Sequence, residues 1–267
     1  MSFSGSKFLL SGLVAGVLAG TSLTIPLQTA EAASISVTAT IRDFSSAHAD
    51  FQQGVGAHEL GIVLSTLGAD GKPVYNEAVK GLTGASSPTT NGTASFNEWY
   101  NGTPTLVTSL VASEAVPGSG IYSYTNSSYF PINGLGFGNQ GNSSNFHFTT
   151  EINTEFTYTG GESFSFSGDD DVWVFINGVL AIDLGGVHGS ISDSVSLDSE
   201  AGALGLTIGG VYDLDIFHAE RQTSGSNFNF TTSIVLVDAP AISEPGVLAI
   251  FGLGLAGIGL VRRRKSA

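Results

Sequence analysis

The chain has no cysteine. Disulfide frameworks, thiolate zinc sites and dithiol redox centres are therefore excluded, and stability must come from packing and from bound ions. Basic residues are scarce: 9 Lys and Arg face 23 Asp and Glu, a formal net charge of −14. The deficit deepens in the middle, where four basic and 21 acidic residues between Ala32 and Ala239 leave a balance of −17. Such a surface repels nucleic acid and attracts divalent cations. Long helix-forming runs are missing from the same stretch. Thr, Ser, Asn, Gly, Val and Phe dominate instead, among them 36 Gly and 17 Phe in 267 residues. That composition reads as all-β.

The most informative stretch is Gly168–His188, GDDDVWVFINGVLAIDLGGVH. Asn177-Gly178 separates the apolar runs Val172–Ile176 and Val179–Leu184, which is a two-residue hairpin signal. The turn sets a register: Ile176 opposite Val179, Val174 opposite Ala181, Val172 opposite Asp183, with Phe175–Leu180 and Trp173–Ile182 on the other face. Both faces are apolar, so the hairpin is expected inside a sheet covered on both sides. Alternation puts Asp170 on the face of Val172 and Asp183, with Asp169 and Asp171 on the other. Carboxylates crowded at the mouth of an apolar hairpin repel one another and resist desolvation. A hard cation, an arginine or open water relieves them, and calcium is the most natural cation for oxygen ligands. Asp169, Asp170 and Asp171 are the first metal candidates. Asp183 is the next, with an ordinary role as acceptor at the Gly185-Gly186 turn as its alternative.

Taken in order, residues 1–32 have the build of a secretory signal peptide. Lys7 precedes an apolar Phe8–Ile25, and Ala30-Glu31-Ala32 offers small residues for signal peptidase cleavage after Ala32. Ile35, Val37, Ala39 and Ile41 alternate with polar residues as a first strand. From Ser65 to Asn145 the chain is Gly, Ser, Thr, Asn and Pro with short apolar islands, either functional loop or irregular strands. Thr105–Val111 fits a strand or a short helix. A long strand follows, with Phe146 to Tyr158 alternating with His147, Glu151, Asn153 and Glu155. Phe164 and Phe166 continue the pattern after Gly160-Gly161. Beyond the hairpin, Asp198–Gly210 reads as a loop with a short strand. Two half-buried strands then centre on Tyr212–Ile216 and Phe228–Leu236. Many strands with Gly-rich turns point to a two-sheet antiparallel β-sandwich over residues 33–239. Residues 240–267 form a tail: Ser243-Glu244-Pro245, an apolar segment 247–261 and Arg262-Arg263-Arg264-Lys265. That is a short membrane-spanning helix whose basic end stays cytoplasmic.

These segments resemble a known family. IRDF (Ile41–Phe44), HADF (His48–Phe51), GKPVYN (Gly71–Asn76) and FNEWY (Phe96–Tyr100) resemble its N-terminal half. NFHFTTEINTEFTY (Asn145–Tyr158), FSFSGDDDVWVFING (Phe164–Gly178), DLGGVH (Asp183–His188) and IFHAERQTSGSNF (Ile216–Phe228) resemble its C-terminal half. The family is the fibro-slime domain of bacterial surface and slime-mould extracellular proteins. It is related to the protective-antigen-type β-sandwich, a jelly roll, of toxins, flocculins and some sugar-processing enzymes. The tail resembles a PEP-CTERM sorting signal, with Ser243 in place of the first proline. This resemblance implies processing by an exosortase and association with an exopolysaccharide matrix. In the flocculin relatives an adjacent Asp-Asp pair holds calcium, which binds sugar hydroxyls. The resemblance places that role on Asp169-Asp170 or Asp170-Asp171, with Asn227 as the candidate from a second ligand loop.

Other residues carry plainer readings. Arg221, beside Glu220, fits a structural ion pair among many carboxylates. His188 and His218 lack any zinc-ligand spacing. Trp99 and Tyr100 could stack on a sugar, but core aromatics are commoner. A glycosidase needs two carboxylates at a set separation, and any chain with 23 acids offers such pairs. The expectation is an exported, non-enzymatic surface or matrix protein. It would bind extracellular polysaccharide through calcium, hold no nucleic acid and be anchored transiently in the cytoplasmic membrane by its tail. The alternatives are a purely structural matrix protein and a glycan hydrolase.

Overall fold

The computed structural model describes residues 31–52, 56–78 and 89–238. Nearly all of the expected signal peptide 1–32, and the tail 240–267 with its apolar segment 247–261, lie outside the described residues. No helix among the described residues is long and apolar enough to cross a membrane.

Period-2 alternation builds the strands. In β1 (Ser34–Asp43), Ile35, Val37, Ala39 and Ile41 are buried while Ser34 and Ser36 are exposed. The long strand β5 (Phe148–Thr157) buries Phe148, Ile152 and Phe156, and β11 (Val211–Glu220) buries Leu214, Ile216 and His218. The segment Thr105–Val111 resolves as strand β3 (Leu106–Glu114). The remaining strands are β2 (Ala57–His58), β4 (Tyr122–Asn126), β6 (Ser163–Gly168), β7 (Asp171–Ile176), β8 (Val179–Leu184), β9 (Gly186–Val187), β10 (Ile191–Ser196), β12 (Phe228–Thr232) and β13 (Val237–Asp238). All pair antiparallel. One sheet runs β10-β6-β12-β4-β3-β1-β5-β11-β7-β8, with β13 added beside β5, and β2 pairs with β9. The two ends of the path, β10 and β8, approach each other, so the sheet doubles over into two layers. Between them lies one core, with Phe148, Phe156, Phe164, Phe166, Phe228 and Phe230 among its largest side chains. This is the expected antiparallel β-sandwich.

The Asn-Gly hairpin is present: Asn177 has φ 52° and Gly178 φ 71°. Ile176 pairs with Val179 and Phe175 with Leu180, as the turn requires. The expected register then fails. Val174 pairs with Ile182, Trp173 with Asp183 and Val172 with Leu184, because Ala181 is an extra residue in a β-bulge. A one-residue slip moves every later side chain to the opposite face. Ile182 and Leu184 thus enter the inner core, while Asp183 joins Trp173 on the outer face. Strand β7 is covered on both sides, but β8 ends the path, bordered by a bridge from Thr66 to Val179.

A second correction concerns the segment after β10. It holds helix α2 (Leu197–Leu204), with Leu197 and Leu204 buried and Gly205 in the left-handed conformation at its end.

The glycine- and serine-rich N-terminal half supplies a third layer. With the short helix α1 (Thr93–Phe96), it covers the outer face of β7 and β11. Phe44, Phe51, Ile62, Val63, Tyr75, Phe96, Trp99 and Tyr100 pack there on Trp173, Phe175 and Phe217. Trp99 and Tyr100 are core residues, 0% and 2% exposed. Asp50 ties this layer together by accepting from the Asn91 amide, Ser95 Oγ and Trp99 Nε1 at 2.6, 2.6 and 3.1 Å.

Arg221 joins the layers. It is fully buried, and its guanidinium grips Asp171 with Nε at 2.5 Å from Oδ2 and Nη2 at 3.0 Å from Oδ1. Nη1 donates to the Thr89 carbonyl at 2.6 Å, and the group lies over Trp99, 4.8 Å from the ring centroid. The expected ion pair exists, with Asp171 and not Glu220 as its partner. Removing one member of a buried pair strands the other charge, at a cost of about 3–5 kcal/mol. Arg221→Met should therefore lower the urea midpoint of the full chain steeply. Adding Asp171→Asn, which removes the stranded charge, should restore part of it.

Candidate functional site

The ends of β6, β8 and β11 and the starts of β7, β10 and β12 meet at one end of the sandwich. Asp169 and Asp170 lie in the link between β6 and β7, joined by a cis peptide bond. Three flanking segments hold them. The Asp170 amide donates to the Ala219 carbonyl at 3.2 Å, and His218 Nε2 donates to the Asp169 carbonyl at 2.9 Å. Asp169 Oδ1 accepts from the Asn227 amide at 2.5 Å, and Oδ2 from Asn227 Nδ2 at 2.7 Å. Asp170 Oδ1 accepts from the His188 amide at 3.2 Å, and Oδ2 from the Arg221 amide at 2.9 Å.

Both carboxyls are buried, 6% and 3% exposed. Burial raises the Asp169 carboxyl above its ordinary range, against the hydrogen bonds from Asn227. Burial pushes Asp170 up to about 7, against the positive charge of Arg221 and with the negative charge of Asp171. A third acid belongs to this end. Glu220 is 1% exposed, and its Oε2 has no hydrogen-bond partner. Burial lifts it well above the ordinary glutamate range, and the charges of Asp170 and Asp169 add to the shift. The Ser226 hydroxyl, also buried, leans toward Glu220 and offsets part of that shift without closing a well-formed hydrogen bond.

Of the five residues expected to bind metal, the structure brings together Asp169, Asp170 and Asn227. Asp171 points to the other face and is held by Arg221 and the Gly186 amide. Asp183, shifted by the bulge, accepts from the Gly61 and Gly185 amides and from Trp173 Nε1 at 2.8, 3.2 and 3.0 Å. The plainer turn-acceptor role foreseen for it is the one it fills. His188 faces the Leu184 and Gly189 carbonyls, and His218 is packed among Tyr129, Phe148 and Phe228. Among the described residues, no three His, Cys, Asp or Glu side chains are close enough together to hold a metal by themselves. The pair offers two carboxylates, the oxygen chemistry of a hard-cation site, while Asn227 turns its Nδ2 donor toward Asp169. Sequence reasoning passed over Glu220. Its signal was phase, because Leu214, Ile216, His218 and Glu220 share one side of β11, the core side.

Comparison with known proteins places the chain in a family. Residues 92–245 match the PA14 domain, and the chain belongs to that family. Residues 241–265 match the PEP-CTERM protein-sorting motif, which marks export with membrane-associated sorting. Among curated relatives, protein psiC of Dictyostelium discoideum is 41% identical over 218 residues, covering 76% of this chain and 42% of psiC. Protein psiD of the same organism is 39% identical over 214 residues, covering 75% of this chain and 42% of psiD. The chain thus spans less than half the length of these relatives. Among solved structures, a PA14 domain from an RTX adhesin, described as sugar-binding, has 10% identity and a TM-score of 0.37. It covers 76% of this chain and 95% of that one.

The buried acids set a pH dependence. An acid whose pKa is raised by folding holds extra protons in the folded state, so stability falls as pH climbs from its unfolded to its folded value. His218, lowered to about 4 by burial, acts with the opposite sign, but its window closes at the free value of 6.5. Between about pH 6.5 and 8 Asp170, raised to about 7, is still ionising. In chelator, the melting temperature of the full chain should therefore fall over that range, and Asp170→Asn should flatten the slope.

Proposed function

We propose that the chain is an exported surface or matrix protein of the fibro-slime group within its family, and that its loop end binds carbohydrate through calcium. The observation that carries this reading is the burial of Asp169 and Asp170 side by side with the unsatisfied Glu220 oxygen behind them. Three acids raised by desolvation are a charge deficit that a divalent cation relieves. Asp169, Asp170 and the Asn227 side chain would hold it. Calcium keeps spare coordination positions, which vicinal sugar hydroxyls fill. Asp171 and Asp183 support the site from the outer face. Nothing in the arrangement calls for a chemical step, so the reading is of a binding protein and not an enzyme.

One observation favours a second reading, in which the acids only stabilise the sandwich. Every carboxylate oxygen of Asp169 and Asp170 already accepts a hydrogen bond from the protein. Calorimetric titration of the full chain with calcium separates the two. Stoichiometric heat, abolished by Asp170→Ala, together with glycan retention that chelator removes, supports the first. Retention of no glycan in a calcium-dependent way supports the second.

Export completes the proposal. The signal peptide would be cleaved after Ala32, and the tail would anchor the chain transiently until an exosortase removes it. Intact-mass measurement of the exported protein should show neither segment. A mature form still carrying residues 247–267 contradicts tail processing.

A further inference from the structure

The two layers differ on their outer sides. Loops and α1 cover β7 and β11, but among the described residues no segment covers the outer face of the opposite layer, β10-β6-β12-β4-β3-β1. Its inward residues are large, including Phe164, Phe166, Phe228 and Phe230. Its outward residues are mostly hydroxylated and in register, interrupted on β3 by the exposed Val107 and Val111. Ser194 is opposite Ser165, Ser165 opposite Thr231, Thr231 opposite Ser123, Ser123 opposite Ser113 and Ser113 opposite Ser34. A second row runs Ser192, Ser167, Asn229 and Thr125. Ser123 Oγ and Thr231 Oγ1 lie 3.0 Å apart, and Ser165 Oγ donates to the Thr231 carbonyl at 3.2 Å. These bonds use only part of each hydroxyl's donor and acceptor capacity. Across β10, β6 and β12 the face sinks into a shallow trough of about 410 Å³.

Charge sets this face apart. On a chain of net −14, the outward positions of β6, β12 and β4, and those of β1 from Ser34 to Thr40, carry no charged side chain. The trough has one acid on its rim, Asp193, which accepts from the Ser194 amide at 2.7 Å. Asp238 marks the border at Thr38, accepting from its amide and its hydroxyl.

We infer that this face is a second, metal-independent binding surface, and that its ligand is an uncharged polysaccharide chain laid across the strands. An acidic polymer finds no cation here and is repelled by the body. A second copy of the chain is the competing occupant of an uncharged sheet face. A self-association through this face would show as a dimer, which the variant below would dissociate. With no aromatic side chain on the two rows, each sugar gains little, so retention depends on many repeats engaging at once. A polymer should bind where its short fragments do not. This surface is independent of the loop-end site, because chelator removes calcium-dependent binding and leaves this one.

The test is co-sedimentation of the full chain with microcrystalline cellulose and with an insoluble β-1,3-glucan, in chelator throughout. Retention on at least one of them is expected, without competition by short oligosaccharides of the same glucan. Ser165→Glu with Thr231→Glu places carboxylates where the ligand would desolvate them, and should weaken retention about tenfold or more. Should that pair fail to fold, as judged by its melt, Ser194→Glu on the exposed end strand serves the same purpose. Retention on neither glucan, retention unchanged by a folded variant, or a wild-type dimer that the same variant dissociates would each overturn the inference.

Discussion

Asp171 and Arg221 form the contact on which the arrangement turns. The pair is entirely out of water, yet each polar atom has a partner, which a buried ion pair requires. Arg221 directly follows β11 and Asp171 begins β7, so the pair locks two neighbouring strands at the end where the acids gather. Its remaining donors reach the Thr89 and Asp50 carbonyls, and its face lies on Trp99. The loop layer, built from segments with little regular structure, is thereby fastened to the sheet by a buried charge pair as well as by its packing on Trp173, Phe175 and Phe217. The same residue's amide supports Asp170.

This pairing sorts the three consecutive aspartates. Alternation sends Asp171 outward to Arg221, where its charge is matched. Asp169 and Asp170 stay at the sandwich mouth with backbone amides and one asparagine, which donate hydrogen bonds but carry no full charge. Glu220 adds a third acid in the same quarter, with an oxygen that nothing satisfies. Amide dipoles offset part of the cost of burying such groups, and the raised carboxyls of Asp169, Asp170 and Glu220 register what is left over. A proton or a cation can make up that remainder, and with its carboxyl raised to about 7 Asp170 holds a proton about half the time at neutral pH.

Much of the fold was legible in the alternation of β1, β5, β11 and β12, because period 2 is fixed by the pleat and needs no tertiary context. The Asn177-Gly178 turn was legible for the same kind of reason: both residues need positive φ. The bulge at Ala181 was not, since small apolar residues fit either face and only packing decides which is skipped. That one residue carried Asp183 to the wrong side in the sequence reading. Helix α2 was missed although its stop signal, Gly205, stands in the sequence, because eight residues are too few for a clear helical period. The aspartate pair was visible as a cluster. Asn227 came only through family resemblance, since its 57-residue separation from Asp170 is bridged by the pairing of β12 with β6 and not by local pattern. The cationic partner of Asp171 was likewise a long-range matter.

The central claim is that the Asp169–Asp170 end of the sandwich is a cation site open to sugar hydroxyls. Anomalous diffraction from crystals of the full chain grown with calcium and a bound glycan tests it most directly. The account predicts a calcium peak touching the Asp169 and Asp170 carboxylates and the Asn227 side chain, with glycan oxygens completing its shell. A well-ordered loop end with no such peak, its four carboxylate oxygens still held by the protein's own amides, would contradict it.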